Sequence, residues 1–157
     1  MKILTVCLGN ICRSPIAQGL LEHKVNIRSL PWDIDSAGTS GWHDGEHPDT
    51  RAVRTAKKYG IDISSQISRK ITASDFEVYD FILAMDSSNY NDLKQMTADP
   101  RHHEKIHLVT NFLYPGRNMA VPDPYYDNRF DEVYHLLDQA LDGFIHSVLT
   151  AGKKLER

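Results

Sequence analysis

Short apolar runs alternate with segments of helical period along this chain, and that alternation constrains the fold most. Ile3-Leu4-Thr5-Val6 is β-rich and carries no polar face, as a strand does when both sides of its sheet are covered. Phe81-Ile82-Leu83-Ala84-Met85 is the clearest central strand, Ile106-His107-Leu108-Val109 reads as another, and Trp32-Asp33-Ile34-Asp35-Ser36 as a weaker one. Between them, Ile16, Ala17, Leu20, Leu21 and Ile27 recur on one helical face behind Ser14-Pro15, which reads as an N-cap with proline at the first helical position. A helix from about Asp49 puts Ala52, Val53, Ala56 and Tyr59 on one side and stops at Gly60. Thr72-Ala73-Ser74-Asp75 has capping-box spacing for a short helix, and Asp86 or Ser87 caps the next. Phe130, Val133, Leu137, Ala140, Leu141, Phe144, Ile145 and Val148 form the longest stripe, whereas Ala37–Pro48 is polar and reads as a loop. Strands alternating with helices predict an α/β fold: a four-stranded parallel sheet with helices on both faces.

At 157 residues the chain fits one domain, expected over 1–157, and no repeat or linker divides it. Lys plus Arg number 18 against 21 Asp plus Glu, so the basic excess of a nucleic-acid binder is missing and no nucleic-acid partner is expected. No apolar run approaches the ~18 residues of a membrane span. Two cysteines are far too few for a secreted disulfide scaffold, so the expected location is cytoplasmic, with reduced thiols. The eight histidines are scattered without a ligand frame, so neither a metal nor another cofactor is expected.

In open parallel sheets ligands sit at the carboxyl ends of the strands. The loop after the first strand is Cys7-Leu8-Gly9-Asn10-Ile11-Cys12-Arg13-Ser14, and it runs straight into a helix N-terminus. Backbone N–H groups and the helix dipole make such a loop an anion site. It lacks the Gly-Lys-Ser/Thr ending of a nucleotide-binding loop, and instead places a cysteine at its start and an arginine six positions later. Curling around a phosphate would bring both to one anion, with Arg13 offering its planar fork to two oxygens. The same positive field is expected to draw the Cys7 pKa below its free value of about 8.5, leaving a thiolate nucleophile.

The segment Cys7–Pro15 resembles the signature of the low-molecular-weight protein tyrosine phosphatases. Asp35-Ser36-Ala37-Gly38-Thr39-Ser40, Ala84-Met85-Asp86 with Asn89, and Val121-Pro122-Asp123-Pro124-Tyr125-Tyr126 match in order, so the likeness spans essentially the whole chain. It implies a Rossmann-like arrangement of the sheet and metal-free hydrolysis of phosphotyrosine. Cys7 would be the nucleophile, Arg13 the phosphate clamp and Asp123 the general acid and base, through a phosphocysteine intermediate. Leu8, Gly9, Asn10, Ile11 and Cys12 would bind phosphate, and Ser14 would stabilise the thiolate. Asn10 with Ser36 would support the loop, while Ile11, Trp42, Tyr125 and Tyr126 would wall the substrate pocket. The implied partner is a phosphotyrosine-bearing protein, met by a monomer or weak dimer, and Tyr125 and Tyr126 would be sites for a tyrosine kinase. One departure stands out: many relatives carry a loop-supporting histidine where this chain reads Ile63-Ser64-Ser65-Gln66-Ile67-Ser68, so either Ser65 or Gln66 takes its place or the loop is supported differently.

Several rivals fit less well. An arsenate reductase of this fold needs further cysteines to relay a disulfide. A protein-arginine phosphatase would use the same Cys, Arg and Asp but carries threonine at the place of Ile11. A phosphocysteine carrier lacks the arginine and the Asp-Pro-Tyr-Tyr, and a binding pseudoenzyme would have lost Cys7 or Asp123.

Overall fold

Every residue of the first strand, β1 (Lys2–Cys7), is buried after Lys2. It lies between β2 (Asp33–Gly38) and β3 (Phe81–Ala84), and β4 (Ile106–Leu108) completes an all-parallel sheet in the order β2-β1-β3-β4. The computed structural model describes residues 1–155, so the last two residues of the expected domain lie outside the described residues. Around the sheet run α1 (Arg13–Ile27), α2 (Thr50–Lys58), α3 (Asp75–Val78), α4 (Ser87–Gln95), α5 (Pro100–His103), α6 (Pro124–Asp127) and α7 (Phe130–Leu155), with a 3-10 turn at Val109–Phe112.

The two-residue period of β1 divides the core. Ile3 and Cys7 join the layer built with α1 and α7, while Leu4 and Val6 face Phe76 of α3 and Leu93 of α4. Helices therefore cover both faces, as the apolar runs predict. Phe144 of α7 is fully buried and meets Trp32, Phe81 and Phe112 edge-on at centroid distances of 6.2, 5.1 and 5.1 Å. Truncating such a ring to alanine costs about 3–5 kcal/mol.

Most caps fall where the sequence puts them. Asp49 accepts from the Arg51 amide at the start of α2, and Asp86 accepts from the Asn89 amide at the start of α4. Gly60 closes α2 at φ +86°, a conformation that costs a Cβ-bearing residue strain. At α3 the capping-box spacing does not place the cap: the helix starts at Asp75 behind Ser74, which makes no side-chain cap bond, and Asp75 accepts from the Thr72 amide at 2.7 Å.

Three further expectations need correction. Ser14 is not an N-cap: α1 begins at Arg13 behind Cys12, so Ser14 lies inside the first turn. The second strand starts at Asp33 and runs on to Gly38, because its end pairs with Cys7 and bridges Lys70. Val109 leaves the fourth strand for the 3-10 turn.

From β1 the chain crosses to β2 on one side and later returns to β3 on the other. That reversal opens a crevice at the carboxyl ends of β1 and β3, and the loop after β1 lies in it. Among the described residues no helix is long and apolar enough to cross a membrane.

Candidate active site

The carbonyls of the loop Leu8–Cys12 are held by neighbouring segments, which leaves its amides available. The Leu8 carbonyl accepts from the Ser40 amide and hydroxyl, each at 3.0 Å, the Gly9 carbonyl from Ser68 Oγ at 3.1 Å, and the Ile11 carbonyl from the Asp49 amide at 2.9 Å. Among the described residues, the amides of Leu8, Gly9, Ile11, Cys12 and Arg13 donate to no protein acceptor. A run of unpaired N–H groups in a loop at the start of a helix is suited to cradle an anion.

Cys7 Sγ sits at the base of the cradle, with the residue only 3% exposed. It meets the Asn10 amide at 3.3 Å and Ser14 Oγ at 3.0 Å. Asn10 takes φ +56°, which asparagine tolerates better than most residues, and its side chain turns back behind the loop. There its Nδ2 donates to Ser14 Oγ at 2.8 Å and Ser36 Oγ at 3.0 Å, while its Oδ1 accepts from the Arg69 amide at 3.0 Å. The Arg69 guanidinium is itself clamped between Asp35 and Asp75. Neither Ser65 nor Gln66 replaces the absent histidine at Asn10. Gln66 donates to the Pro15 carbonyl instead, because the left-handed turn at Asn10 aims its side chain at β2 and the Arg69 backbone.

Arg13 is 3% exposed and anchored by one nitrogen, which donates to Asp86 Oδ2 at 2.8 Å and to the Val121 carbonyl at 2.9 Å. Its other terminal nitrogen lies 3.7 Å from Asp123 Oδ2. Burial works against the guanidinium charge, but the Cys7 sulfur and the Asp86 carboxylate more than offset it and hold the Arg13 pKa above its ordinary value. Asp123 caps α6, its Oδ1 accepting from the Tyr125 amide at 3.2 Å, so only its second oxygen faces the pocket. Burial, followed by the charges of Asp49 and Cys7, pushes the Cys12 thiol far above the usual cysteine range.

One pocket gathers Cys7, Leu8, Gly9, Ile11, Cys12, Arg13, Trp42, Asp123, Tyr125 and Tyr126 from the sequence expectations. Asn10, Ser14 and Ser36 lie behind it as supports. Trp42 and Tyr126 stand at the mouth, 76% and 77% exposed. Three participants were missed. His43 lines the pocket beside Trp42 and pairs with Glu46. Asp86 and Arg69 brace the loop, and only the Asp86 segment carried a sequence signal.

The model of the family described as low molecular weight phosphotyrosine protein phosphatase matches residues 2–155. A human protein of that description is 40% identical over 138 residues, covering 85% of this chain and 86% of its own. A Schizosaccharomyces pombe protein with the same description is 37% identical over 153 residues, 94% and 97% of the two chains. Among solved structures, a protein tyrosine phosphatase from Entamoeba histolytica superposes at TM-score 0.89 with 37% identity, covering 98% of this chain and 99% of its own. A drosophila protein described as an arginine phosphatase superposes at 0.87 with 33% identity, covering 94% and 98%.

Proposed function

The chain belongs to the low molecular weight phosphotyrosine protein phosphatase family, and from that premise we propose how its residues divide the work of hydrolysing a phosphotyrosine monoester. The observation that carries the reading is the meeting of Cys7, Arg13 and Asp123 in one pocket, lined by loop residues whose amides, among the described residues, have no protein acceptor. Cys7 attacks phosphorus as a thiolate, so that an S–P bond forms while the P–O bond to tyrosine breaks. Tyrosine, with a pKa near 10, is a poor leaving group as the bare phenolate. Asp123 therefore delivers a proton to its oxygen, then takes one from the water that cleaves the phosphocysteine and releases phosphate. Arg13 and the amides hold the phosphoryl oxygens through both steps. The anchoring of Arg13 through one nitrogen supports this, since Nε and the other terminal nitrogen remain for a bidentate grip.

The substrate class follows from depth and lining. The sulfur is nearly inaccessible at the pocket base, so the phosphoryl group must be carried down on a rigid stem, which a tyrosine ring provides and a serine does not. Ile11, Trp42, Tyr125 and Tyr126 offer apolar walls for that ring. Similarity to the drosophila protein favours a second reading, phosphoarginine hydrolysis by the same Cys, Arg and Asp. Ile11 weighs against it, because a guanidinium beside that side chain loses hydration without gaining an acceptor.

The test is Asp123→Ala. Loss of the proton donor is expected to lower kcat/KM for phosphotyrosine peptides by about 10²–10⁴-fold. Aryl phosphates with strongly acidic leaving groups should lose much less. Equal losses for both would remove Asp123 from the acid role.

A further inference from the structure

The geometry assigns Gln18 a positioning role: its amide oxygen directs a buried hydrogen-bond chain whose far end is the Ser14 hydroxyl donating to the Cys7 sulfur. The inference rests on the reading of Cys7 as nucleophile and adds a residue to its machinery.

The chain runs Gln18, Ser36, Asn10, Ser14, Cys7. Its three middle members are 4%, 2% and 0% exposed, so their protons are shared among protein atoms. Asn10 is fixed in orientation, because its Oδ1 accepts from the Arg69 amide at 3.0 Å and a backbone N–H can only donate. Both Nδ2 hydrogens are thereby committed, one to Ser14 Oγ at 2.8 Å and one to Ser36 Oγ at 3.0 Å. Each hydroxyl accepts one bond and has a single proton to place elsewhere. For Ser14 the acceptors are Cys7 Sγ at 3.0 Å and the Ala37 carbonyl at 3.5 Å, and the sulfur is the better placed. For Ser36 the acceptor is Gln18 Oε1 at 2.6 Å.

Gln18 is itself oriented. It lies one helical turn beyond Ser14 on α1, with Glu22 a turn further on along the same face, and its Oε1 is the atom 2.6 Å from Ser36 Oγ. An amide oxygen only accepts, so the contact at Gln18 Oε1 takes the Ser36 proton. Without that oxygen the buried Ser36 proton has no acceptor. Ser36 can regain one only if Asn10 rotates its Oδ1 away from Arg69, which breaks the arrangement that leaves the Ser14 proton to the sulfur.

The experiment compares wild type with Gln18→Met and Gln18→Asn, which remove or withdraw the acceptor. It reads alkylation of Cys7 by iodoacetamide at pH 7, resolved from Cys12 by mass spectrometry, together with kcat and KM. We expect Cys7 alkylation and kcat to fall about tenfold, the weight of one hydrogen bond to a charged group, with KM changed less than twofold. The exchange Gln18→Glu with Glu22→Gln keeps an acceptor facing Ser36 and should recover most of the loss. In a Ser36→Ala background, Gln18→Met should have no further effect, because the proton it serves is gone. Wild-type alkylation and kcat in a folded Gln18→Met protein would overturn the proposal, as would a full additional loss in the Ser36→Ala background. Should Gln18→Met not fold, Gln18→Asn is read against the same outcomes. Failure of the wild type to hydrolyse phosphotyrosine would instead sink the phosphatase reading, with the alkylation rates still judging Gln18.

Discussion

On the proposed reading, Ile11 is the residue at which substrate choice turns. It lines the pocket with its backbone carbonyl tied to the Asp49 amide, so its side chain is held at the wall rather than free to swing. A phenyl ring packed there gains about 25 cal/mol per Å² of apolar surface removed from water. A guanidinium gains little and leaves donors unpaired, at about 1–3 kcal/mol each. Wild type is therefore expected to prefer phosphotyrosine over phosphoarginine peptides, and Ile11→Thr to narrow or reverse the ratio by adding a hydroxyl and removing bulk. Measuring kcat/KM for both peptides in both proteins decides it. A wild-type preference for phosphoarginine would overturn the tyrosine assignment, and an unchanged ratio in the variant would acquit Ile11.

At the scale of elements, the cradle depends on how closely the end of β2 approaches the loop after β1. A Cβ on Gly38 would stand 2.7 Å from the Leu8 carbonyl oxygen and 3.0 Å from that of Ser40, both backbone atoms that cannot swing aside. Gly38→Ala is expected to destabilise by about 1–3 kcal/mol, the usual range for overpacking. Because the atom displaced belongs to the loop, kcat should fall as well, even well below the melting temperature. A variant with lowered Tm and unchanged kcat would show that the loop absorbs the shift without moving its amides. Asp86 shows a second coupling, since one carboxylate caps α4 and also holds Arg13 of α1. The capping half was legible because Asp86 follows an apolar strand and precedes a helical segment. Its grip on Arg13 spans 73 residues and left no local mark. Ser14 was misread for the opposite reason: serine before proline is a local cap signal, and the curl of the loop overrode it by starting α1 earlier.

At the scale of the whole molecule, a pH dependence of stability is expected from a group that lies away from the pocket. His107 on β4 sits between the rings of Phe81 and Phe112, each 5.6 Å away. Burial lowers its pKa, Lys94 adds to the effect, and a backbone bond at Glu104 opposes it. The unfolded chain takes up this proton near pH 6.5 while the folded protein resists until lower pH. The stability involved is thus present above about pH 6.5 and is lost as pH falls toward the folded value. His107→Leu should flatten the decline of Tm between pH 7 and pH 5.5, and a wild-type slope retained in that variant would place the sensitivity elsewhere. The sequence by itself determined the parallel sheet, because β-rich runs and helical stripes are local patterns set by covered strands and crossover helices. It also singled out Cys7 and Arg13, since a cysteine and an arginine six positions apart in one loop carry their own signal, whereas Asp123 was implied by the family resemblance. Tertiary structure alone decided what holds them. The Val121 carbonyl on Arg13 spans 108 residues, the Arg69 amide on Asn10 spans 59, and Gln18 on Ser36 spans 18. Backbone groups look alike at every position and a polar side chain has many potential partners, so only the packed chain selects which ones meet.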